Sequence, residues 1–361
     1  MAAKLRIGFI GCGEIAVATA KGVDASEHGQ ISYAMDVKNV LAKDLAEPRG
    51  AKWTTDVKEL IAGDDVDAVY ICTPHYLHAP MAIKAAKAGK HVLCEKPIAT
   101  TLKDAEKMLS ACREADVLLT IAFCMRYRPE AVKARELLGK GVLGNYVGTY
   151  HASLGDKKDT YWTGGYSGRA KTDWRTKRKT AGGGILVMNA IHNIDLMRWM
   201  TGMEADRVTA QYATRATKVE VEDIISVAIR YKNGAIGSID GSSCARGGLP
   251  PGAARGDRIY GTEGQMAVGA GKLLLWTRKS VAGLKKEEWQ EVELQKSDKN
   301  ARGAWVDDTA AAIANGSAPP ITGEDGFAAL AIVSAAYESG KKGKAVKVAK
   351  TPKPAKRRKK Q

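Results

Sequence analysis

From residue 5 to about residue 122, short runs of apolar residues rich in β-branched types alternate with longer stretches whose apolar positions recur at helical spacing. That alternation predicts βαβ units and a parallel sheet. The predicted strands are LRIGFIG, ISYAMD, AVYICTP, HVLCEKP and LLTIAF. Between them lie helices such as residues 80–88, closed by Gly89, and residues 102–115, opened by Thr101 as N-cap. After Phe123 the pattern changes. Residues 147–153, 207–213, 224–231 and 235–242 read as strands, with Asn233-Gly234 as the hairpin turn between the last two, so a largely antiparallel sheet is expected. One strong helix over residues 185–200 is embedded there, preceded by Gly182-Gly183-Gly184 and ended by Gly202. Two more helical patterns, 305–315 and 326–339, follow it. No period of 20 to 50 residues repeats, which excludes solenoids and propellers.

A chain of 361 residues exceeds what one hydrophobic core usually supports, so two domains are expected. We divide it into residues 1–123, residues 124–348 and a tail, residues 349–361. The last helices are expected to pack back toward the first domain. With 45% apolar and 27% charged residues, and no apolar run near bilayer length, the chain reads as a soluble protein with no membrane partner. The first strand begins almost at Met1 and leaves no room for a leader, so the expected location is cytoplasmic. Six scattered cysteines read as reduced thiols. The formal charge of +16 is concentrated after Gly340, ending in KPAKRRKKQ. Such a tail is expected to be disordered and solvated, with weak, salt-sensitive, non-specific nucleic-acid contact as the alternative.

The first strand runs into Gly11-Cys12-Gly13-Glu14-Ile15-Ala16, the GxGxxA form of the dinucleotide fingerprint, at the turn where a helix should begin. Gly11 permits the tight turn, Gly13 lets a pyrophosphate approach the backbone, and the helix N-terminus offers free N–H groups. Asp36 ends the second strand, where a carboxylate accepts hydrogen bonds from ribose hydroxyls and repels a 2′-phosphate; NAD is therefore favoured over NADP. Two later strands end in Thr73-Pro74-His75 and in Cys94-Glu95-Lys96-Pro97, at the sheet edge where open α/β folds bind ligands. No cluster of metal-ligand spacing is present, and no metal is expected.

GCGEIA, TPHYLHAP, LCEKP and GGGILVMNAIHNIDLMRWMTG, in that order, resemble the glucose-fructose oxidoreductase, inositol dehydrogenase and MocA family over about residues 4 to 348. The resemblance implies an α/β protein: an N-terminal Rossmann domain with a doubly wound parallel sheet, joined to a C-terminal α+β domain whose open-faced sheet mediates homo-dimers or homo-tetramers. It implies a dehydrogenase or reductase acting on a secondary hydroxyl of a sugar, sugar derivative or cyclitol. Lys96 would be catalytic, often before a cis proline, and His192 would be the base. The cofactor set is Gly11, Cys12, Gly13, Glu14, Ile15, Asp36, Thr73, Pro74, His75, His78, Glu95 and Lys96, although His78 also reads as structural.

Taken alone, a histidine among Ile and Leu on a helix is more often a core residue. The acid that many family members carry four residues before the histidine is here Met188. Asn189 and Asp195 stand three residues either side of His192 and could reach imidazole or substrate, while Asp195 could instead pair with Arg198. The aromatic, basic and glycine-rich segment ahead of the GGG turn offers Tyr161, Trp162, Trp174 and Arg175 as substrate contacts, with packing or subunit contact as the other reading. Two other functions fit the same pattern: redox-assisted glycoside cleavage with bound NAD, and a catalytically silent nucleotide sensor.

Overall fold

The protein is described from a computed structural model, over residues 4–248, 256–295 and 300–352. The expected contacts of the terminal basic run fall outside those residues from position 353 onward. The first half winds as β1 (Leu5–Ile10), α1 (Glu14–Asp24), β2 (Gly29–Met35), α2 (Asn39–Ala46), β3 (Lys52–Thr54), α3 (Val57–Ala62) and β4 (Ala68–Ile71). It continues with α4 (His78–Lys87), β5 (His91–Cys94), α5 (Leu102–Glu114) and β6 (Leu119–Ile121). All ladders between these strands are parallel, in the order β3-β2-β1-β4-β5-β6. The strand order reverses at β1, so a crevice opens beyond the carboxyl ends of β1 and β4, the place where doubly wound sheets hold dinucleotides. β4 is buried at all four positions because helices cover both faces of the sheet. Thr101 caps α5 by accepting the Asp104 N–H, as its position before an apolar repeat predicts.

The second half supplies α6 (Pro129–Gly139), β7 (Tyr146–Leu154), α7 (Thr160–Gly164), α8 (Arg178–Ala181) and α9 (Ile191–Thr201). The strands β8 (Ala205–Ala213), β9 (Ile224–Tyr231), β10 (Ile236–Ser242), β11 (Asp257–Gly261), β12 (Gly264–Gly269), β13 (Lys272–Thr277) and β14 (Gln290–Glu291) follow. The helices α10 (Ala301–Ala314) and α11 (Gly323–Lys342) precede the short β15 (Val346–Lys347). The nine strands lie in the order β14-β13-β12-β11-β7-β10-β9-β8-β15, antiparallel except where β10 runs parallel to β7. Burial along β9 alternates strictly, with exposed residues on one face and buried ones on the other. The open face leaves Val147, Ile224 and Ile236 exposed.

Two features position the site. The expected single helix over 185–200 is instead two windings: residues Leu186–Ala190 form a π-turn, in which the Ile191 N–H reaches the Leu186 carbonyl, and only then does α9 begin. Such wide turns recur at functional sites. The second feature is α10, which returns to the first sheet. Trp305 is fully buried there, its indole N–H donating to Thr120 Oγ1 at 3.0 Å and its ring edge-on to Tyr70 at 5.4 Å. This anchor joins the two sheets through one continuous core.

Candidate active site

Gly11 sits at φ +89°, and a Cβ there would lie 3.0 Å from the Cys72 carbonyl carbon and the Thr73 nitrogen. Only glycine therefore lets the first turn lean on the end of β4. The Cys12 N–H donates to Asp36 Oδ2 at 2.8 Å and the Lys38 N–H to Oδ1 at 2.9 Å, which fixes the half-buried carboxylate beside the turn. The Cys12 thiol is buried, and burial pushes its pKa up, which keeps it protonated. Gly13 gives α1 no side-chain cap, leaving N–H groups of its first turn for an anion. Ile15 is half-buried beside them.

Glu14 departs from its expected role. Its carboxylate accepts the Tyr166 N–H at 3.0 Å and the Ser167 N–H at 2.6 Å, while Arg169 Nε donates to the Cys12 carbonyl at 3.2 Å. Residues 165–171 of the second half thus lie across the glycine turn, with Ala170 Cβ 3.7 Å from where a Gly13 Cβ would stand. The acid serves as an anchor for that segment, not as a direct cofactor ligand.

At the neighbouring strand ends, Thr73 and Pro74 are half-exposed. His75 is buried, its Nδ1 2.7 Å from the Ala181 carbonyl and its ring 4.4 Å from that of Trp174. Two other members of the expected cofactor set turn inward. His78 places Nδ1 2.7 Å from the Pro97 carbonyl and Nε2 3.0 Å from the Thr73 carbonyl, so the ring links the two strand ends through whichever nitrogen carries the proton. Glu95 is buried, accepting from Thr19 and Tyr70 at 3.2 Å each, with Arg302 3.8 Å away. Lys96 stays half-exposed. Its Nζ donates to the Met188 carbonyl at 2.7 Å, and the Lys96-Pro97 bond is cis. Burial lowers its pKa, against the opposing charge of Glu95.

The π-turn thus presents Met188 to Lys96 by its backbone. Asn189 Oδ1 accepts from Lys157 Nζ at 2.6 Å. His192 is half-exposed, edge-on to Phe123 at 6.0 Å, with Nδ1 sealed and unpartnered among the described residues. Its pKa is held well below the usual histidine value, first by burial and then by the charges of Lys96, Arg302 and Arg128. Asp195 does not reach this face. It is fully buried and takes a two-pronged bond from Arg126, at 2.8 and 2.5 Å, so its substrate role is withdrawn. Its partner comes from the turn after β6, not from Arg198 on its own helix.

Tyr161 and Trp162 are buried, Trp174 and Arg175 half-buried. Arg175 lies over the rings of Trp174 and Tyr161, at 4.5 and 5.2 Å, so the segment packs mainly on itself around the cleft. Sequence reasoning missed Lys157 altogether. It is 5% exposed, with Nζ 4.1 Å from the centre of the Tyr161 ring, and its pKa falls to about 7 through burial, then through Lys96 and Arg175. No group of three or more metal-ligating side chains occurs among the described residues. Nor is any described helix long and apolar enough to cross a membrane.

A strand order of 3-2-1-4-5-6, a glycine turn under a free helix N-terminus and an acid at the end of β2 define a dinucleotide-binding oxidoreductase. The chain belongs to the GFO/IDH/MocA oxidoreductase family: residues 5–123 match its NAD-binding Rossmann domain and residues 131–267 its C-terminal domain. It is 29% identical to 1,5-anhydro-D-fructose reductase of Ensifer adhaerens over 95% of this chain and 98% of that one. Identity to myo-inositol 2-dehydrogenase of Thermotoga maritima is 27%, with the same shares covered. Among solved structures, levoglucosan dehydrogenase in complex with NADH and levoglucosan superposes with a TM-score of 0.85 at 26% identity, covering 96% of this chain and 100% of that one.

Proposed function

We propose that the protein is an NAD-dependent dehydrogenase or reductase acting on a secondary hydroxyl of a sugar, sugar derivative or cyclitol. The observation that carries this reading is that Lys96, from the end of β5, bonds the Met188 carbonyl four residues before His192, so that two half-exposed side chains are brought together at the start of α9. The donor set fits the cofactor: a glycine turn, free N–H groups on α1 and a fixed Asp36 that favours NAD over NADP. When bound, NAD supplies the hydride acceptor.

The residues do the rest. The Lys96 ammonium, held by the Met188 carbonyl, keeps donors for the substrate oxygen and stabilises developing alkoxide charge. His192 is kept neutral by burial and by Lys96, so it is in the right state to take the hydroxyl proton, and with Nδ1 sealed the exchange runs through its other nitrogen. Trp174 and Arg175 border the cleft as substrate contacts, and Asn189 orders Lys157 beside them. His75, set against Trp174, completes the wall on the cofactor side.

The similarity to sugar and inositol oxidoreductases supports this substrate class. In the same reading, residues 1–123 bind the cofactor and residues 124–348 bind substrate and mediate a homo-dimer or homo-tetramer, supported by the exposed apolar residues of the open sheet face. The free cysteines support a cytoplasmic setting. A screen at 340 nm of sugars, cyclitols and anhydrosugars with NAD and NADP tests the assignment. Turnover of at least one polyol with NAD is expected, and silence across the panel despite measurable NADH binding overturns it.

A further inference from the structure

The cleft holds more positive charge than the proposed hydride transfer uses. Lys157 and Arg175 both lie over the Tyr161 ring, at 4.1 and 5.2 Å, Lys96 and Lys157 bond the successive residues Met188 and Asn189, and the acids around them are already engaged. Glu95, whose charge acts on Lys96, accepts from Thr19 and Tyr70. Glu14 holds the Tyr166 and Ser167 N–H groups and comes no closer than 3.9 Å to Arg175. Glu222, whose charge also reaches Lys157, accepts the Gly184 and Leu186 N–H groups and the Tyr337 hydroxyl, at 2.7, 3.1 and 2.7 Å. Lys157 itself is 5% exposed and bonds only the neutral Asn189, so two of its three N–H donors have no partner among the described residues. The faces of Tyr161 and Trp162, 4.1 and 5.8 Å away, offset only part of the cost of burying an ammonium.

NAD explains part of this charge and not the rest. The glycine turn, where Arg169 stands, would take its phosphates, and its oxidised ring is itself a cation, so it would supply no anion for Lys157. A buried amine with unspent donors, next to another cation and opposite no free carboxylate, becomes fully protonated only when an anion joins it, and is in that sense half of an ion pair. Met188, which precedes Asn189 in the π-turn, is buried and brings no charge to the site.

We infer that the substrate of this site is a sugar acid, whose carboxylate pairs with Lys157 while Lys96 and His192 act on a hydroxyl of the same molecule. The inference rests on the dehydrogenase reading and deepens it. Asn189 orients Lys157, the aromatic pair excludes water from the ammonium, and Arg175 adds a second charge at the rim. The carboxylate takes part in no bond-making step; it positions the carbinol and balances the charge of the oxidised ring.

The test compares kcat/KM for matched pairs, D-glucuronate with D-glucose and D-galacturonate with D-galactose, in wild type, Lys157→Met and Lys157→Arg. In wild type at least one acid is expected to exceed its neutral parent by about tenfold or more. Lys157→Met lowers the acid-to-neutral ratio about 30-fold, as loss of a buried charge partner does, and Lys157→Arg restores it to within about threefold. Folding of each variant is checked by its melting temperature and by NADH fluorescence. If Lys157→Met fails to fold, Lys157→Gln replaces it. Preference for neutral sugars, or an unchanged ratio in the folded Met or Gln variant, overturns the acid assignment and leaves the dehydrogenase reading standing. A panel in which no sugar, acidic or neutral, reduces NAD overturns the dehydrogenase reading instead.

Discussion

Two clusters of charge meet the helical segment over residues 186–201, one at its π-turn and one along α9, and they are built by opposite rules. Along α9, Arg126 is 5% exposed and bonds Asp195 with two N–H groups, and its Nη2 lies 3.1 Å from Asp325, which also faces Arg198 at 3.9 Å. Every cation there has an anion. In the cleft, Lys157 bonds only a neutral amide, and Lys96 bonds a carbonyl, with Glu95 acting on it by charge alone. A compensated network holds elements together, since removing one partner strands the other. An uncompensated one costs stability, and such a cost persists where a ligand supplies the missing charge. The contrast separates the framework from the site more sharply than burial alone does, because residues of both clusters are buried.

Substitutions can break either side of this comparison. Arg126→Leu strands Asp195 and should destabilise the fold by about 3–5 kcal/mol, read by urea unfolding; a loss below 1 kcal/mol would mean the Arg126 cluster is not a brace. Lys96→Ala should lower turnover about 10³-fold, roughly 4 kcal/mol of transition-state stabilisation, with NADH affinity within a few-fold of wild type. Near-normal turnover would remove the ammonium from the mechanism. Lys157→Met should move the opposite way from Arg126→Leu and raise stability by about 2 kcal/mol in the absence of substrate, since it deletes a buried, unpaired cation; calorimetry showing a lower melting temperature would contradict the contrast.

Smaller effects sharpen it further. Asp36→Ala should shift the NAD-to-NADP ratio of kcat/KM toward NADP by about tenfold, and an unchanged ratio would show that the carboxylate only braces the turn. Protonation gives the last test. Burial depresses His75, His78 and His192 below the pKa they have when unfolded, so the unfolded chain binds protons first as the pH falls. Their contribution is intact above about pH 6.5 and is lost below it, by about 1 kcal/mol per histidine per pH unit. Melting temperatures at pH 7.5 and 5.5 check the sign.

The first half of the chain was legible because its signals are local. The glycine turn, Asp36 at the end of β2 and the Thr101 cap follow from turn chemistry and hydrophobic period within a few residues. What escaped depends on partners far along the chain. Asp195 stands on α9 as its spacing from His192 requires, yet its direction is set by Arg126, 69 positions earlier. Glu14 reads as an ordinary first-turn acid until residues 166 and 167 arrive from 152 and 153 positions away. Lys157 looks like part of a solvated DKKD run, and only the closing of Tyr161 and Trp162 over it makes it a buried residue. The strands β11 to β14 escaped too, their glycines and charges masking the alternation of buried positions.

The segment fastened over the glycine turn has a kinetic consequence. If these fastenings must open before a ligand can leave the turn, weakening them with Glu14→Gln should speed NADH release several-fold in stopped-flow fluorescence, and an unchanged rate would show that the segment lies beside the exit and not across it.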